Sequence, residues 1–106
     1  MKLSLSKIKF EGEWYDFGDG KLLIRPIPMS RQRIRQEASG ITETLKETFF
    51  YCLLDWQNFF DENDQPMKLT EEIKEKLFES NHAGIRNFVM QKNGEKLNEF
   101  AELEKN

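Results

Sequence analysis

The chain of 106 residues is long enough for one domain, and its net charge of −3 argues against a nucleic-acid-binding protein, which needs a strongly basic face. Nine phenylalanines and an aromatic content of 12% are too many large apolar side chains for a disordered protein. The single cysteine excludes an internal disulfide, fits a reducing cytoplasm, and argues with the single histidine against a His/Cys metal site.

The first 28 residues predict an extended arm followed by a β-hairpin. Residues 2–10 alternate loosely between apolar and polar side chains, as a strand or an arm does. Aromatic residues at 14–17 and aliphatic residues at 21–27 flank Gly18-Asp19-Gly20, a turn sequence that typically joins antiparallel strands. The prolines at positions 26 and 28 should end the second strand, because proline cannot donate to the ladder.

A short, mostly exposed helix is predicted next. Ser30 is a suitable N-cap for a helix from Arg31 to Ser39, and Gly40 is a suitable terminator. This segment is the basic part of the chain, and it is either a solvated helix face or a contact for an acidic protein or a phosphate. The arginines that would make such a contact are Arg31, Arg33 and Arg35.

The clearest helical pattern predicts a central helix over residues 41–60. Apolar side chains recur there at helical spacing, at Ile41, Leu45, Phe49, Cys52, Leu53, Trp56 and Phe60. We expect Trp56 to pack in the core or an interface and Cys52 to be a small buried apolar residue. Phe50 widens the stripe, and Phe50 and Phe59 are candidates for contact with a partner.

The second half of the chain predicts a turn and two further helices. Asp61 to Pro66 contains residues that favour turns, and Thr70 is a suitable cap for a helix ending near Glu79. The last helix contains Asn93-Gly94, a strong turn signal, but its apolar pattern continues across this pair. We therefore favour one long helix over two.

These elements predict a mainly α protein with a small N-terminal β-hairpin, of the α+β class. Residues 1–106 would form a single domain, with the arm and hairpin in residues 1–28 and the helical part in residues 30–104. No apolar run approaches the roughly 20 residues of a membrane span, so no contact with a membrane is expected.

Two sequence motifs for metal binding or catalysis are present only in part. Asp16-Phe17-Gly18 matches a kinase metal-binding tripeptide, but the chain is too short for the rest of a kinase. Residues 61–72 approximate a calcium loop, yet Pro66 stands where glycine must make a sharp bend. We therefore expect no catalytic residue, no cofactor, no metal site and no enzymatic activity.

Three segments carry a resemblance to a known family. In the first, a tryptophan (Trp56) precedes an acidic turn (Asp61, Glu62), a proline (Pro66) and a threonine that opens a helix (Thr70). The others are the apolar stretch 20–28, which ends near an Arg-Pro pair before Ser30, and the C-terminal helix. Together they resemble small tail assembly chaperones of long-tailed, siphovirus-type bacteriophages and prophages.

The chain departs from this family pattern at two places. Asp64 stands where the family often has glycine, although aspartate tolerates the left-handed conformation better than most residues. The aromatic hairpin at residues 14–17 is not a hallmark of the family.

The resemblance implies a non-enzymatic protein that binds the tape-measure protein during tail assembly and helps recruit tail-tube subunits. It also implies a homo-oligomer that acts in the cytoplasm of the bacterial host. A structural tail protein, such as a tail-completion or tube-associated subunit, is the alternative. A small regulator that binds DNA through residues 31–35 is a third hypothesis.

The resemblance further suggests an expectation for the C-terminal end. Genes of this family often contain a programmed −1 frameshift near their end, at slippery sequences such as A-AAA-AAC. Its AAA and AAC codons encode Lys and Asn, and the codon ending in A before them could be GAA for Glu, which fits the closing Glu104-Lys105-Asn106. A longer fused product and an exposed, frayed end are therefore expected. An ordinary charged helix end explains the same three residues.

Overall fold

The structure is a computed structural model that describes residues 1–32 and 40–103. Three strands and three long helices follow in the order β1 (Glu13–Phe17), β2 (Gly20–Ile24), α1 (Ile41–Cys52), β3 (Leu53–Gln57), α2 (Glu71–Ser80) and α3 (Ile85–Glu102). Short 3-10 helices occupy Leu5–Lys7 and His82–Gly84. The predicted fold class, mainly helical with a small N-terminal β-hairpin, is confirmed.

The strands form one antiparallel sheet in the order β1-β2-β3. The hairpin turns at Gly18, whose φ of 59° lies in the left-handed region that glycine adopts without strain. Gly20 meets a second requirement, because a β-carbon there would lie 2.6 Å from the ring of Phe59. The β-hairpin predicted from the Gly18-Asp19-Gly20 turn is therefore confirmed.

The predicted central helix over residues 41–60 is wrong beyond Cys52. The helix ends there, and Leu53–Gln57 form the third strand, paired with β2. A register shift in this pairing leaves Leu53 and Trp56 both buried while the two residues between them are exposed. Such a bulge places residues three apart on one face, which is also the spacing of a helical stripe.

The core lies between the sheet and the helices. Alternate residues of β2 (Gly20, Leu22, Ile24) are buried, whereas Lys21 is exposed and Leu23 is partly buried. Aromatic rings connect the layers, with Phe17 lying 5.0 Å from Phe88 of α3 and Phe49 lying 5.9 Å from Phe78 of α2. The buried apolar side chains are Leu22, Ile24, Ile27, Phe49, Cys52, Leu53, Trp56, Leu77, Phe78, Ile85 and Val89.

Helix α3 runs without a break through Asn93-Gly94, which confirms the prediction of one long helix. Asn93 is buried, and its Oδ1 accepts a hydrogen bond of 2.9 Å from the backbone N–H of Ile27. Ile27 lies between two prolines, so its N–H is the one backbone donor of that tripeptide. Asn93 therefore attaches the exit of β2 to α3.

One of the two predicted N-cap residues is confirmed and the other is wrong. Thr70 caps α2 as predicted, with its Oγ1 accepting from the N–H of Ile73 at 3.2 Å. The predicted N-cap at Ser30 is wrong, because residues 29–32 are already helical. The N–H of Arg31 donates to the carbonyl of Pro28 at 3.0 Å, so the helix begins two residues earlier than predicted. Residues 33–39, with Arg33 and Arg35, and the closing triplet 104–106 lie outside the described residues.

Candidate functional site

The first candidate site is the segment from Trp56 to Thr70. Trp56 is only 7% exposed, its indole N–H donates to the carbonyl of Met67 at 2.8 Å, and its ring stacks on Phe59 at 4.4 Å. The predicted packing of Trp56 in the core is confirmed, although Trp56 packs from a strand and not from a helix. The indole thus fixes the point where the chain returns after the acidic turn.

Asp61 organises the acidic turn itself. Its carboxylate accepts from the N–H groups of Asn63 at 2.8 Å and Gln65 at 3.0 Å, which is the local bonding typical of aspartate in turns. Asp64 has a φ of 59°, so the aspartate occupies the left-handed position that a glycine would otherwise fill. Glu62 is exposed, and Pro66 forms a bridge with Phe60. The turn is therefore closed by the carboxylate of Asp61 together with backbone hydrogen bonds across it.

The second candidate site is a cleft at the junction of β2 and α1. Arg25 follows β2 directly, and its Nε donates to the carbonyl of Tyr51 at 2.9 Å while its guanidinium lies 3.7 Å from the centre of the Tyr51 ring. The guanidinium of Arg31 lies 4.6 Å from the same ring. The cleft has a volume of about 520 Å³ and is lined by Arg25, Ile27, Arg31, Gln32, Glu47, Thr48, Phe50, Tyr51 and Glu71.

A third cation lies behind this cleft. The ammonium of Lys74 donates to the carbonyl of Phe50 at 3.1 Å and lies 5.8 Å from the centre of its ring. Burial lowers the pKa of Lys74, and the positive charge of Arg25 acts in the same direction. The carboxylate of Glu71 opposes this shift more strongly than Arg25 promotes it, so the lowered pKa reflects the burial of Lys74.

The structure brings together some of the predicted partner-binding residues and separates others. Arg31 and Phe50 both line the cleft. Phe59 lies apart from them, stacked on Trp56. Sequence reasoning missed Arg25 and Tyr51, because their contact depends on β2 ending beside the C-terminus of α1. The only local signal was the Arg-Pro pair at the end of the strand.

Cys52, the one cysteine of the chain, lies in the core and not in either candidate site. Burial raises the pKa of the Cys52 thiol to about 12, so this cysteine is a packing residue and a poor nucleophile. Across residues 1–32 and 40–103, no group of three or more His, Cys, Asp or Glu side chains is arranged to hold a metal ion. In the same part of the chain, no helix combines the length and apolar character that crossing a bilayer requires.

Comparison with protein-family models, with curated proteins and with solved structures finds no match for this chain.

Proposed function

We propose that the protein is a tail assembly chaperone of a long-tailed bacteriophage or prophage. It would act without catalysis, bind apolar segments of the tape-measure protein and help recruit tail-tube subunits. The observation that carries this proposal is that the motif residues belong to one connected unit. Trp56 holds Met67, Asp61 closes the turn, and Thr70 caps α2.

A surface with exposed apolar side chains supports the same proposal. Ile41 is 81% exposed and lies one helical turn from Leu45, which is 45% exposed. Exposed apolar side chains that form a patch are a common sign of a binding surface. Other large apolar side chains at the surface are Leu3, Leu5, Phe10, Trp14, Met29, Leu54 and Phe60. This surface suits both a homo-oligomer and an apolar client, which would meet the protein in the bacterial cytoplasm during assembly.

Co-expression with fragments of the tape-measure protein from the same phage genome tests the proposal. We expect the wild-type protein to increase the soluble fraction of these fragments, measured by quantitative gel analysis after centrifugation. The double variant Ile41→Ser/Leu45→Ser should lose this effect and remain folded, because both side chains are exposed.

The matched control is Glu43→Ser, an exposed position in the same helix, which should keep the wild-type effect. No gain in solubility with the wild-type protein, or equal behaviour of the double variant and the control, would contradict a chaperone role for this surface.

The sheet favours a second candidate, a structural tail protein. β1 and β3 are both edge strands, and β1 carries Trp14, which is 42% exposed. Edge strands are able to extend a sheet into a neighbouring subunit. Mass spectrometry of purified virions separates the candidates, since a chaperone is lost before the particle is complete and a structural subunit stays at a fixed copy number.

A further inference from the structure

The cleft at the junction of β2 and α1 combines two guanidinium groups with an aromatic wall. Arg25 and Arg31 both lie against Tyr51, at 3.7 Å and 4.6 Å from its ring centre. Within residues 1–32 and 40–103, no carboxylate forms an ion pair within 4.0 Å of either guanidinium. A half-buried arginine (Arg25) and an exposed one (Arg31) beside a cavity of about 520 Å³ are suited to receive an anionic group.

Arg25 is held in a position that leaves the two terminal nitrogens of its guanidinium available to a ligand. Its backbone N–H donates to the carbonyl of Cys52 and its Nε donates to the carbonyl of Tyr51, each at 2.9 Å. Neither bond uses the terminal nitrogens, and the described residues provide no acceptor for them. A guanidinium that is fixed by stacking and by Nε is preorganised, so a ligand that binds it loses little additional side-chain entropy.

The remaining residues of the cleft indicate which anion would bind. Glu47 and Glu71 line the same cleft, so its charge is nearly balanced and a polyanion such as nucleic acid is disfavoured. Phe50 and the ring of Tyr51, which are both only partly buried, provide apolar contact area. A single carboxylate with apolar neighbours matches both features better than a phosphate does.

We propose that this cleft binds a glutamate or aspartate side chain of a partner polypeptide, with apolar residues beside it packing on Phe50 and Tyr51. The carboxylate would accept hydrogen bonds from Arg25 and Arg31. The cleft would bind such a peptide whether or not the protein acts as a tail assembly chaperone.

Titration of the full chain with short peptides tests the proposal. The probes are a blocked Ala-Leu-Glu-Leu-Ala peptide, its Gln counterpart and inorganic phosphate, followed through the backbone amide resonances of Arg31 and Tyr51. We expect the Glu peptide to bind about tenfold more tightly than the Gln peptide, the effect of about one charge-assisted hydrogen bond. Equal binding of the two peptides, or phosphate binding as tight as the Glu peptide, would overturn the proposal.

Charge variants locate the site. Arg31→Gln should weaken binding of the Glu peptide about tenfold, whereas Lys76→Gln, an exposed lysine on α2 outside the cleft, should leave it unchanged. Glu71→Gln should strengthen binding about two- to threefold, because it removes a negative charge from the cleft. Equal losses in Arg31→Gln and Lys76→Gln would reduce the effect to general electrostatics, and a weaker Glu71→Gln complex would also refute the site.

Discussion

The two ends of the apolar stretch from Ile41 to Trp56 differ in both burial and secondary structure. Ile41 and Leu45, at the start of α1, are 81% and 45% exposed. Leu53 and Trp56, at the other end, are 0% and 7% exposed and lie in β3. Both pairs have helical spacing in the sequence, so the pattern alone gives no reason for the difference.

The difference teaches that the neighbour of an apolar residue decides its conformation and burial. At the C-terminal end of the stretch, β2 offers unpaired backbone groups, and Leu53–Gln57 pair with them as an edge strand. The N-terminal end has good helical residues but projects apolar side chains from the surface, which is how a binding surface would look.

The largest expected effect comes from truncating the buried end. Leu53→Ala and Trp56→Ala should each lower the free energy of unfolding by roughly 3–5 kcal/mol, because they leave cavities between the sheet and the helices. Urea denaturation followed by circular dichroism measures this loss. The control is Leu54→Ala in the same strand, where the side chain is 36% exposed and the loss should be below about 1 kcal/mol. Equal losses at the two leucines would show that β3 is not packed as described.

A second prediction concerns Asn93, which attaches the exit of β2 to α3. Asn93→Ala should cost about 1–3 kcal/mol, because it leaves the buried N–H of Ile27 without a partner. Hydrogen exchange at Ile27 should also become faster. Asn98→Ala, at an exposed position of the same helix, should be neutral or slightly stabilising. If Ile27 exchanges at the same rate in both variants, the bond to Asn93 does not protect it.

The starts of α1 and α2 allow a smaller comparison. Thr70→Ala should lower the free energy of unfolding by about 1 kcal/mol, since it removes the side-chain cap from α2, whereas Thr70→Ser should retain most of it. Helix α1 begins after Gly40 with no side-chain cap. Thr42→Ala, near that start, should therefore change the free energy of unfolding little, and thermal unfolding of all three variants measures these differences. A loss at Thr42 as large as at Thr70 would contradict the assigned caps.

The opposite edge of the sheet depends on a surface ion pair and should respond to pH. Glu13 of β1 accepts from Lys96 of α3 at 2.8 Å, and this hydrogen bond is the main reason that the pKa of Glu13 is lowered. The stabilisation is therefore complete at neutral pH and is lost as the pH falls through the lowered pKa. Because Glu13 is half exposed, we expect less than about 1 kcal/mol.

Urea denaturation of the wild type and Glu13→Gln measures this contribution. The two curves should differ at pH 7 and converge as the pH falls below the lowered pKa of Glu13. A difference that stays constant with pH would mean that the glutamine acts through packing and not through lost charge.

The smallest effect is expected at the exposed end of the apolar stretch. Ile41→Ala should change the free energy of unfolding by less than about 0.5 kcal/mol, because little apolar area is buried and alanine favours the helix. Urea denaturation followed by circular dichroism measures this change, as it does for Leu53→Ala. A loss above 1 kcal/mol would show that Ile41 is covered in the folded protein and is not available for a partner.

Local signals in the sequence predicted the elements whose conformation depends on a few adjacent residues. Gly18-Asp19-Gly20 specified the hairpin through its left-handed turn, and Thr70 specified the start of α2 through its own hydroxyl. The turn at Asp61 follows equally from a carboxylate that bonds to the N–H groups just after it. In each case the chain supplies the hydrogen bond within a few residues, so no distant partner is needed.

The tertiary structure decided what depended on distant partners. Leu53 and Trp56 share one face in a helix and in a bulged strand alike, so their spacing did not distinguish the two, and pairing with β2 selected the strand. The Asn93-Gly94 pair is a turn signal in the sequence, but in the fold Asn93 lies inside a helix and accepts a hydrogen bond from the N–H of Ile27, 66 positions away. The cleft likewise exists because Arg25 and Tyr51 meet across β2 and α1. Sequence patterns carry information about neighbours along the chain, whereas these contacts are set by which backbone groups remain unpaired when the elements pack together.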